Sequence, residues 1–373
     1  MISTTTSPCP VCTGDKSLDG ISFCVYNTAD AVAPLQWNQL VPGANKLMQI
    51  EQLALVEQCH KGEMDFRYVF VKKKQTNIGV IYFQVVRFTG NDLLNYFPDE
   101  PKGGITKRLY KLVRGISENL VKKVDVKLLV TGNVFMTGEN GFYFQHDISK
   151  SERGGILRKA IKQVAATDAQ IRAVLISDLY EPKTEFDKNF AQHGYHEITV
   201  EADMSIALHN NWKDLNGYLE SLSSKYRVRA RKVFNMCAAN GVVHKELNAD
   251  DVKQYSNDLY NLYMMVMGRV DFKLASLDKS FFAAQKQQLP NNYHIYAYFK
   301  EGEMIGFISF YHFGRRMEVH YTGMDAEKCK PIHLYQHMLY DMIGFGIEHR
   351  MERLHFGRTA PEIKSTVGAA PSP

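Results

Sequence analysis

The alternation of apolar and polar residues is clearest between residues 292 and 364. Period-two stretches bounded by turn residues predict three successive strands, and helically spaced apolar residues then predict a long helix and a short strand. In chain order these are the strands 293–299, 305–313 and 317–322, the helix 332–349 and the strand 353–357. The turns KEGEM and GRR between the first three strands are short and polar. The pattern therefore predicts an antiparallel meander followed by a helix and a returning strand.

The N-terminal half repeats this pattern in outline. A helix is predicted over 47–60, a hairpin over 66–88, helical structure over 105–122, a strand at 127–131, a helix over 154–165 and a strand at 173–178. Residues 195–208 are strand-like and are assigned to this half. Because both halves run helix, hairpin, helix, strand, the predicted fold is α/β with two tandem domains, each a mixed sheet flanked by helices. The predicted boundaries are an unstructured tail at 1–20, a first domain at 21–210 and a second at 211–373.

Composition agrees with two full-sized domains and excludes several function classes. The chain has 373 residues, 45% of them hydrophobic, and a net charge of +5, which is too mild to indicate a DNA partner. No run approaches the ~18 apolar residues of a membrane span. The N-terminus lacks the basic and apolar regions of a signal peptide, and the cysteines show no disulfide framework, so a cytoplasmic location is expected. Cys9 and Cys12 form a single C-x-x-C pair, and without a second pair no metal is expected.

The C-terminal half, roughly 212–368, resembles the double-GNAT, Fem-type acyltransferases and their bacterial GNAT-family N-acetyltransferase relatives. The resemblance is carried by a Pro-led helix start at 331–335, PIHLY, by the segment HFGR at 355–358, and by the nearby Lys364. The N-terminal half is similar only in outline. The resemblance implies two GNAT-like domains and a GNAT-type N-acyltransferase without a covalently bound cofactor. Its donor would be a thioester, acyl-CoA or an acyl carrier protein, and its acceptor a small-molecule amine.

Two departures from the family pattern keep alternatives open. The glycine-rich loop that binds the coenzyme A pyrophosphate in GNAT proteins is absent, and the chain has EKCKPI at 327–332 instead. A catalytically degenerate double-GNAT module that binds an anionic metabolite or a protein partner is therefore the main alternative. Fem-type enzymes that use aminoacyl-tRNA carry a long helical-hairpin arm in the second copy. No such insertion occurs in this sequence, which argues against a tRNA-dependent ligase.

The start of the helix at 332–349 is the predicted donor-binding site. Free backbone N–H groups and the helix dipole favour an anion there, and the resemblance implies that this anion is the pyrophosphate of coenzyme A. Two lysines could supply positive charge in place of the missing loop. The predicted cofactor-binding residues are Lys328, Lys330, Ile332, His333, Leu334 and Tyr335.

The third strand of the meander carries the predicted catalytic residues, Glu318, His320 and Tyr321. Acylating an amine requires a base, and His320 with Glu318 two residues away fits that role; the alternative is a polar pair that faces solvent or a neighbouring strand. Period two places Glu318 and His320 on one face and Tyr321 on the other unless a bulge intervenes. Arg358 and Lys364 are predicted to bind a substrate carboxylate or phosphate. Glu318, His320 and Arg358 are expected to converge on a cleft between the two domains.

Overall fold

The chain folds into two compact units. The first comprises Met1–Ile198 with Asp271–Leu277, and the second comprises Thr199–Val270 with Asp278–Pro373. The computed structural model describes residues 11–14, 20–90, 124–136, 138, 140–178, 190–197, 202–270 and 273–372. Within these ranges, no helix is both long enough and apolar enough to cross a bilayer.

A mixed sheet forms the centre of the first unit. Its described strands are β1 (Val11–Gly14), β2 (Ile21–Tyr26), β3 (Asp65–Lys73), β4 (Thr76–Thr89), β5 (Asp125–Thr131), β6 (Phe142–Phe144) and β7 (Ile171–Ile176). They are ordered β1-β2-β3-β4-β5-β7, with β6 also paired to β4. Only the β5–β7 pair is parallel among these described strands.

Helices pack on both faces of this first sheet. They are α1 (Pro34–Leu40), α2 (Ile50–Cys59) and α3 (Lys150–Ala165), with 3₁₀ turns at Ala29–Ala31 and Lys46–Met48. Helix α3 begins with a capping box, in which Ser149 accepts from the backbone N–H of Glu152 and the Glu152 carboxylate accepts from that of Ser149. Its apolar face packs on strands β2 to β5 and β7, while Trp37 of α1 packs edge-on against Tyr68 and Phe70 of β3.

The second unit repeats the arrangement with a longer meander. Its described strands are β8 (Met204–Ala207), β9 (Val243–Glu246), β10 (Tyr293–Lys300), β11 (Glu303–Phe313), β12 (Arg316–Met324), β13 (Arg353–His355) and β14 (Ala370–Pro371), ordered β14-β8-β13-β12-β11-β10-β9. Its helices are α4 (Leu215–Ser221), α5 (Ser224–Ala239), α6 (Ala249–Gln254), α7 (Ser256–Met267), α8 (Phe281–Gln288), α9 (Ala326–Cys329), α10 (Leu334–Glu348) and α11 (Pro361–Thr366).

The two faces of this second sheet carry different helices. Helix α10 lies on one face, where its apolar side chains join those of α4, α5 and the strands in a continuous core. Helices α7 and α8 cover the other face. At Gly323 of β12 a Cβ atom would lie 2.6 Å from the backbone nitrogen of Tyr263, so α7 packs directly on the strand because no side chain separates them.

The local predictions agree with these elements, and two wider ones need correction. The hairpins over 66–88 and 293–313 and the long helix after residue 332 are confirmed. Strand Met204–Ala207, assigned from the sequence to the first domain, pairs instead with β13 and β14 in the second sheet, so the units divide at 198/199. Val11–Gly14 pairs with Ser22–Val25 in a stretch predicted to be an unstructured tail. The first correction concerns a pairing partner about 150 residues away, which local composition does not encode, whereas the second concerns pairing with the next strand in the chain. The helical prediction over 105–122 and residue Cys9 lie outside the described ranges.

Candidate active site in the second unit

The parallel strands β12 and β13 separate partway along their length. They pair at Arg316–Arg353, Met317–Leu354 and Glu318–His355. Beyond this point β12 stays paired with β11 as far as Met324. The chain after β13 follows β8 instead, because Phe356 N donates to Met204 O at 2.8 Å and Met204 N donates to Gly357 O at 3.1 Å. We call this opening the fork; its two arms are residues 319–321 of β12 and residues 356–358.

A β-bulge lies in the β12 arm of the fork. Ile308 pairs with Thr322 and Phe310 with Val319, so Ser309 alone faces both His320 and Tyr321. Ser309 Oγ accepts from Tyr321 N and donates to Tyr321 O, both at 3.1 Å, which holds the extra residue. The Tyr321 ring packs against Tyr263 of α7 at 5.2 Å and against His320 at 4.3 Å. The bulge therefore brings Tyr321 to the face that Glu318 and His320 share, whereas strict alternation would place it on the opposite face.

His320 lies among aromatic rings on this face. Its ring centroid is within 6 Å of the rings of four residues: Phe281, Tyr293, Tyr311 and Tyr321. His320 Nδ1 is 3.4 Å from the Tyr293 hydroxyl. The Tyr311 hydroxyl is buried and, within the described chain, has no hydrogen-bond partner. Burial raises the pKa values of Tyr293, Tyr311 and Tyr321 well above their usual value, so the phenols stay protonated and can donate to an oxygen.

Glu318 lies at the closed end of the fork beside a histidine–aspartate pair. His355 Nδ1 lies 2.6 Å from Asp203 Oδ2, and Arg316 Nη2 lies 3.4 Å from His355 Nε2. Burial raises the pKa of Glu318 above its usual value, partly opposed by the positive charge on Arg316 and by His355, while the Asp203 carboxylate raises it further. This row of ionisable groups can accept and pass on a proton next to the opening.

Sequence reasoning missed the Asp203–His355 pair. His355 was noted only within the HFGR segment, and Asp203 lies 152 residues away from it in the chain. The two meet because β8 runs beside β13, with Ser205 opposite His355. The assignment of residues 195–208 to the first domain concealed this contact, and we find no other signal in the sequence that reveals it.

Of the two predicted substrate-binding residues, Arg358 lies in the second arm of the fork and Lys364 contacts that arm from helix α11. Arg358 is half-buried in that arm. Lys364 of α11 is not a surface charge: it is 1% exposed, and its ammonium donates to Gly357 O at 2.9 Å. Lys364 therefore holds the backbone of the arm, and its role in binding a substrate anion stays a prediction. The expected convergence of Glu318, His320 and Arg358 on a cleft between the domains also stays a prediction; all three belong to the second unit, and they lie on the two sides of the fork.

The predicted donor-binding residues divide into buried and exposed sets. Ile332 and Leu334 pack in the core, and helix α10 begins at Leu334 after His333 in a left-handed conformation with φ of 54°. Lys328 forms ion pairs with Glu303 and, at 3.7 Å, with Asp325, and both carboxylates raise the pKa of its ammonium. Lys330 is exposed and Tyr335 is half-buried. The charge of Lys328 is therefore already compensated, which weakens its predicted contact with a pyrophosphate.

Comparison with known proteins agrees with this architecture. No protein-family model matches the chain, and no curated protein matches it. Among solved structures, FemX aligns over 91% of this chain and 94% of its own, with a TM-score of 0.53 and 12% identity. A tandem GNAT protein from the clavulanic acid biosynthesis pathway aligns over 94% and 95%, with a TM-score of 0.51 and 11% identity. The chain has the tandem GNAT fold. At these identities the similarity concerns the fold alone, so the activity of this protein must be argued from its own residues.

Proposed function

We propose that this tandem GNAT protein transfers an acyl group from a thioester donor to an amine. The fork of the second unit is the observation that carries the proposal. A planar thioester can lie between two parting strands, where it extends the sheet and exposes its carbonyl to donors on the β12 arm. Hydrogen-bond donors fixed before the reaction stabilise the oxyanion that forms as the amine attacks.

The reaction needs a base, and Glu318 is the residue that we assign to it. The amine nitrogen bonds to the thioester carbonyl carbon, the C–S bond breaks, and the amine loses a proton while the thiolate gains one. A carboxylate with a raised pKa is a stronger base than an exposed one, and Glu318 lies at the closed end of the fork. The Asp203–His355 pair beside it is placed to receive the proton or to orient the amine.

His320 is the alternative base, as the sequence predicted. Its surroundings favour a different role, because aromatic rings enclose it and the Tyr293 hydroxyl lies 3.4 Å from its Nδ1. We assign His320 and Tyr321 to shaping the site around the acyl group. The two assignments of the base, Glu318 or His320, are distinguished by which of these residues abolishes turnover when it is substituted.

The donor class is a phosphopantetheine thioester, carried either by coenzyme A or by an acyl carrier protein. The compensated charge of Lys328 favours recognition through the pantetheine arm over recognition of the pyrophosphate. The acceptor is a small-molecule amine. A tRNA-borne donor has less support: within the described residues of the second unit the longest helices are α5 and α10, and both contribute buried side chains to the core.

The proposal is tested by following thiol release and product mass together. The protein is incubated with acetyl-CoA, longer acyl-CoAs, acyl-pantetheine and acyl carrier protein, each with a panel of amines. We expect amine-dependent thiol release that Glu318→Gln lowers and Glu348→Gln, an exposed change at the end of α10, leaves intact. If no thioester is bound or consumed, or if both variants behave alike, the proposal is wrong.

A second candidate function rests on the same Lys328 pairing and on the absent glycine loop. The fork would then bind a thioester without turning it over, as a catalytically degenerate module. Isothermal titration with acyl-CoA and acyl-pantetheine separates the two cases: saturable binding with no amine-dependent thiol release supports the binding module.

A further inference from the structure

Three metal-binding side chains meet on the face of the second sheet that carries α10. His337 and Asp341 are one helical turn apart on α10, and His244 lies on the edge strand β9. One potential ligand atom from each lies within 4.8 Å of the other two. His244 pairs across the strands with Tyr298, whose hydroxyl donates to Asp341 Oδ2 at 2.7 Å. The cluster is separate from the fork, because β10 and β11 lie between β9 and β12 and because α7 and α8, not α10, cover the face that bears His320.

The spacing within the cluster leaves room for an ion. His337 Nε2 is 3.5 Å from Asp341 Oδ2, and His244 Nδ1 is 3.9 Å from the same oxygen. Hydrogen bonds between such atoms span ~2.7–3.2 Å, so the imidazoles approach the carboxylate without bonding to it well. Two ligands that each lie roughly 2.0–2.1 Å from a tetrahedral Zn²⁺ are about 3.3 Å apart. The two distances to Asp341 Oδ2 are close to that spacing, whereas the ligand atoms of the two histidines are known to lie only within 4.8 Å, so the exposed His244 side chain has to turn toward His337 to complete the geometry.

The polar groups of the cluster are poorly satisfied by the protein itself. Asp341 is 11% exposed, and its ion pairs within the described chain involve these two histidines and no lysine or arginine. His337 Nδ1 is buried with no hydrogen-bond partner in the described chain. A bound cation would compensate the carboxylate and bind His337 Nε2, the ring nitrogen that faces Asp341, while leaving Nδ1 as it is.

Access and support complete the arrangement. His244 is 46% exposed on an edge strand whose residues are all exposed, so an ion can enter from solvent. The hydrogen bond from Tyr298 fixes the carboxylate, as partners behind a ligand do in metal sites. The Cys237 thiol donates instead to Ile332 O at 3.4 Å, so it is not in the ligand set.

From these observations we propose that His244, His337 and Asp341 bind one divalent transition-metal ion, Zn²⁺ in the first instance, with a fourth position open to water. Two imidazoles and one carboxylate with an open position form a ligand set typical of zinc. The ion fastens the edge strand β9 to helix α10. It thereby restrains a strand that lies at the edge of the sheet in the described part of the chain, where outer backbone groups can pair with another chain.

The experiment uses the full chain with Cys9 and Cys12 both changed to Ser, so that this pair cannot compete for metal. After treatment with a chelator, Zn²⁺ and Co²⁺ are titrated by calorimetry and by visible absorption. We expect one ion per chain, a higher Tm with Zn²⁺, and Co²⁺ bands of tetrahedral type without a thiolate charge-transfer band. His244→Gln is the main variant, since an exposed edge residue can change without loss of the fold.

Because losing a group hydrogen-bonded to a ligand costs ~10–100-fold in affinity, loss of His244 itself should weaken Zn²⁺ binding by about 100-fold or more. Asp341→Asn should do the same, and His146→Gln, an exposed histidine of the first unit, should have no effect. The proposal is overturned if the parent chain binds no metal, if His244→Gln binds as tightly as the parent, or if Co²⁺ shows thiolate ligation.

Discussion

The two units handle their parallel strand pair in different ways. In the first unit β5 and β7 stay paired from Lys127 to Thr131, the last residue of β5. Ser177 extends this contact, since its Oγ and its N–H both donate to Thr131 O, at 2.9 and 3.3 Å. In the second unit β12 and β13 pair at three positions and then separate.

The difference follows from what borders each pair. Strand β7 is the last strand of its sheet in the described chain, so nothing draws it away from β5. Strand β13 has β8 on its other side, and hydrogen bonds to Met204 hold residues 356 and 357 there. The closed pair, β5 with β7, is lined by Leu129 and Val130, both fully buried. The open pair, β12 with β13, is bordered by Glu318 and His320. The same arrangement of a parallel strand pair therefore produces a filled core in the first unit and a candidate reaction site in the second.

The largest expected effect is on the ionisable group at the closed end of the fork. Glu318→Gln keeps the size of the side chain and removes the base, so turnover of an identified amine should fall by ~10²–10⁴-fold with binding of the thioester retained. Single-turnover kinetics with saturating donor measure it. Turnover within a few-fold of the parent would remove Glu318 from the mechanism.

The next largest effect is expected at the bulge. His320→Ala opens a space among the surrounding rings and disturbs the position of the acyl group, so turnover should fall by no more than ~10²-fold. Steady-state kcat and KM are measured alongside circular dichroism to check the fold. A loss as large as that of Glu318→Gln would move the base assignment to His320.

Asp203 tests the link between β8 and the fork. The Asp203 carboxylate raises the pKa of Glu318, so Asp203→Asn should lower that pKa. Activity that depends on ionised Glu318 rises as pH passes through its pKa, and the rising limb of the kcat/KM profile should therefore move to lower pH. A lower plateau without any shift of the limb would indicate a purely structural role for Asp203.

Two substitutions, each removing one hydrogen bond, compare the open strand pair β12–β13 with the closed strand pair β5–β7. Lys364→Met leaves Gly357 O without its buried donor and should destabilise the second unit by ~1–3 kcal/mol while also raising KM for the donor. Ser177→Ala removes the matching contact to Thr131 O in the first unit and should cost ~0.5–1.5 kcal/mol with kinetics unchanged. Chemical unfolding and thiol-release assays on both variants provide the comparison. A kinetic effect of Ser177→Ala would contradict the view that the closed pair takes no part in the reaction.

The smallest expected effect concerns stability against pH. Folding raises the pKa of Glu318 above its unfolded value, so the folded state binds more protons and loses stability as pH rises from that unfolded value through the raised one. Glu318→Gln lacks this loss. The Tm of the variant minus that of the parent should therefore increase as the pH is raised from 4 to 8, which scanning calorimetry measures. A constant difference in Tm across that range would show that the pKa of Glu318 is not raised.

Local patterns predicted much of the fold. The meander at 293–322, the helix that follows it and the hairpin over 66–88 were predictable because each reflects a period of two or 3.6 within one stretch of chain. The same alternation correctly placed Glu318 and His320 on one face of β12. The short strand at 353 was also evident, although its partners were not.

What the sequence by itself determined, then, is where most of the strands and helices lie and that they occur as two similar sets. Tertiary structure decided the rest. Met204–Ala207 joined the second sheet, Ser309 came to face two residues of β12, and Asp203 met His355 across 152 residues. Likewise, His244 came within reach of Asp341 only through the pairing of β9 with β10. Each of these depends on hydrogen bonds between backbone segments far apart in the chain, and backbone groups are alike in every residue, so side-chain patterns carry little information about which partner is chosen.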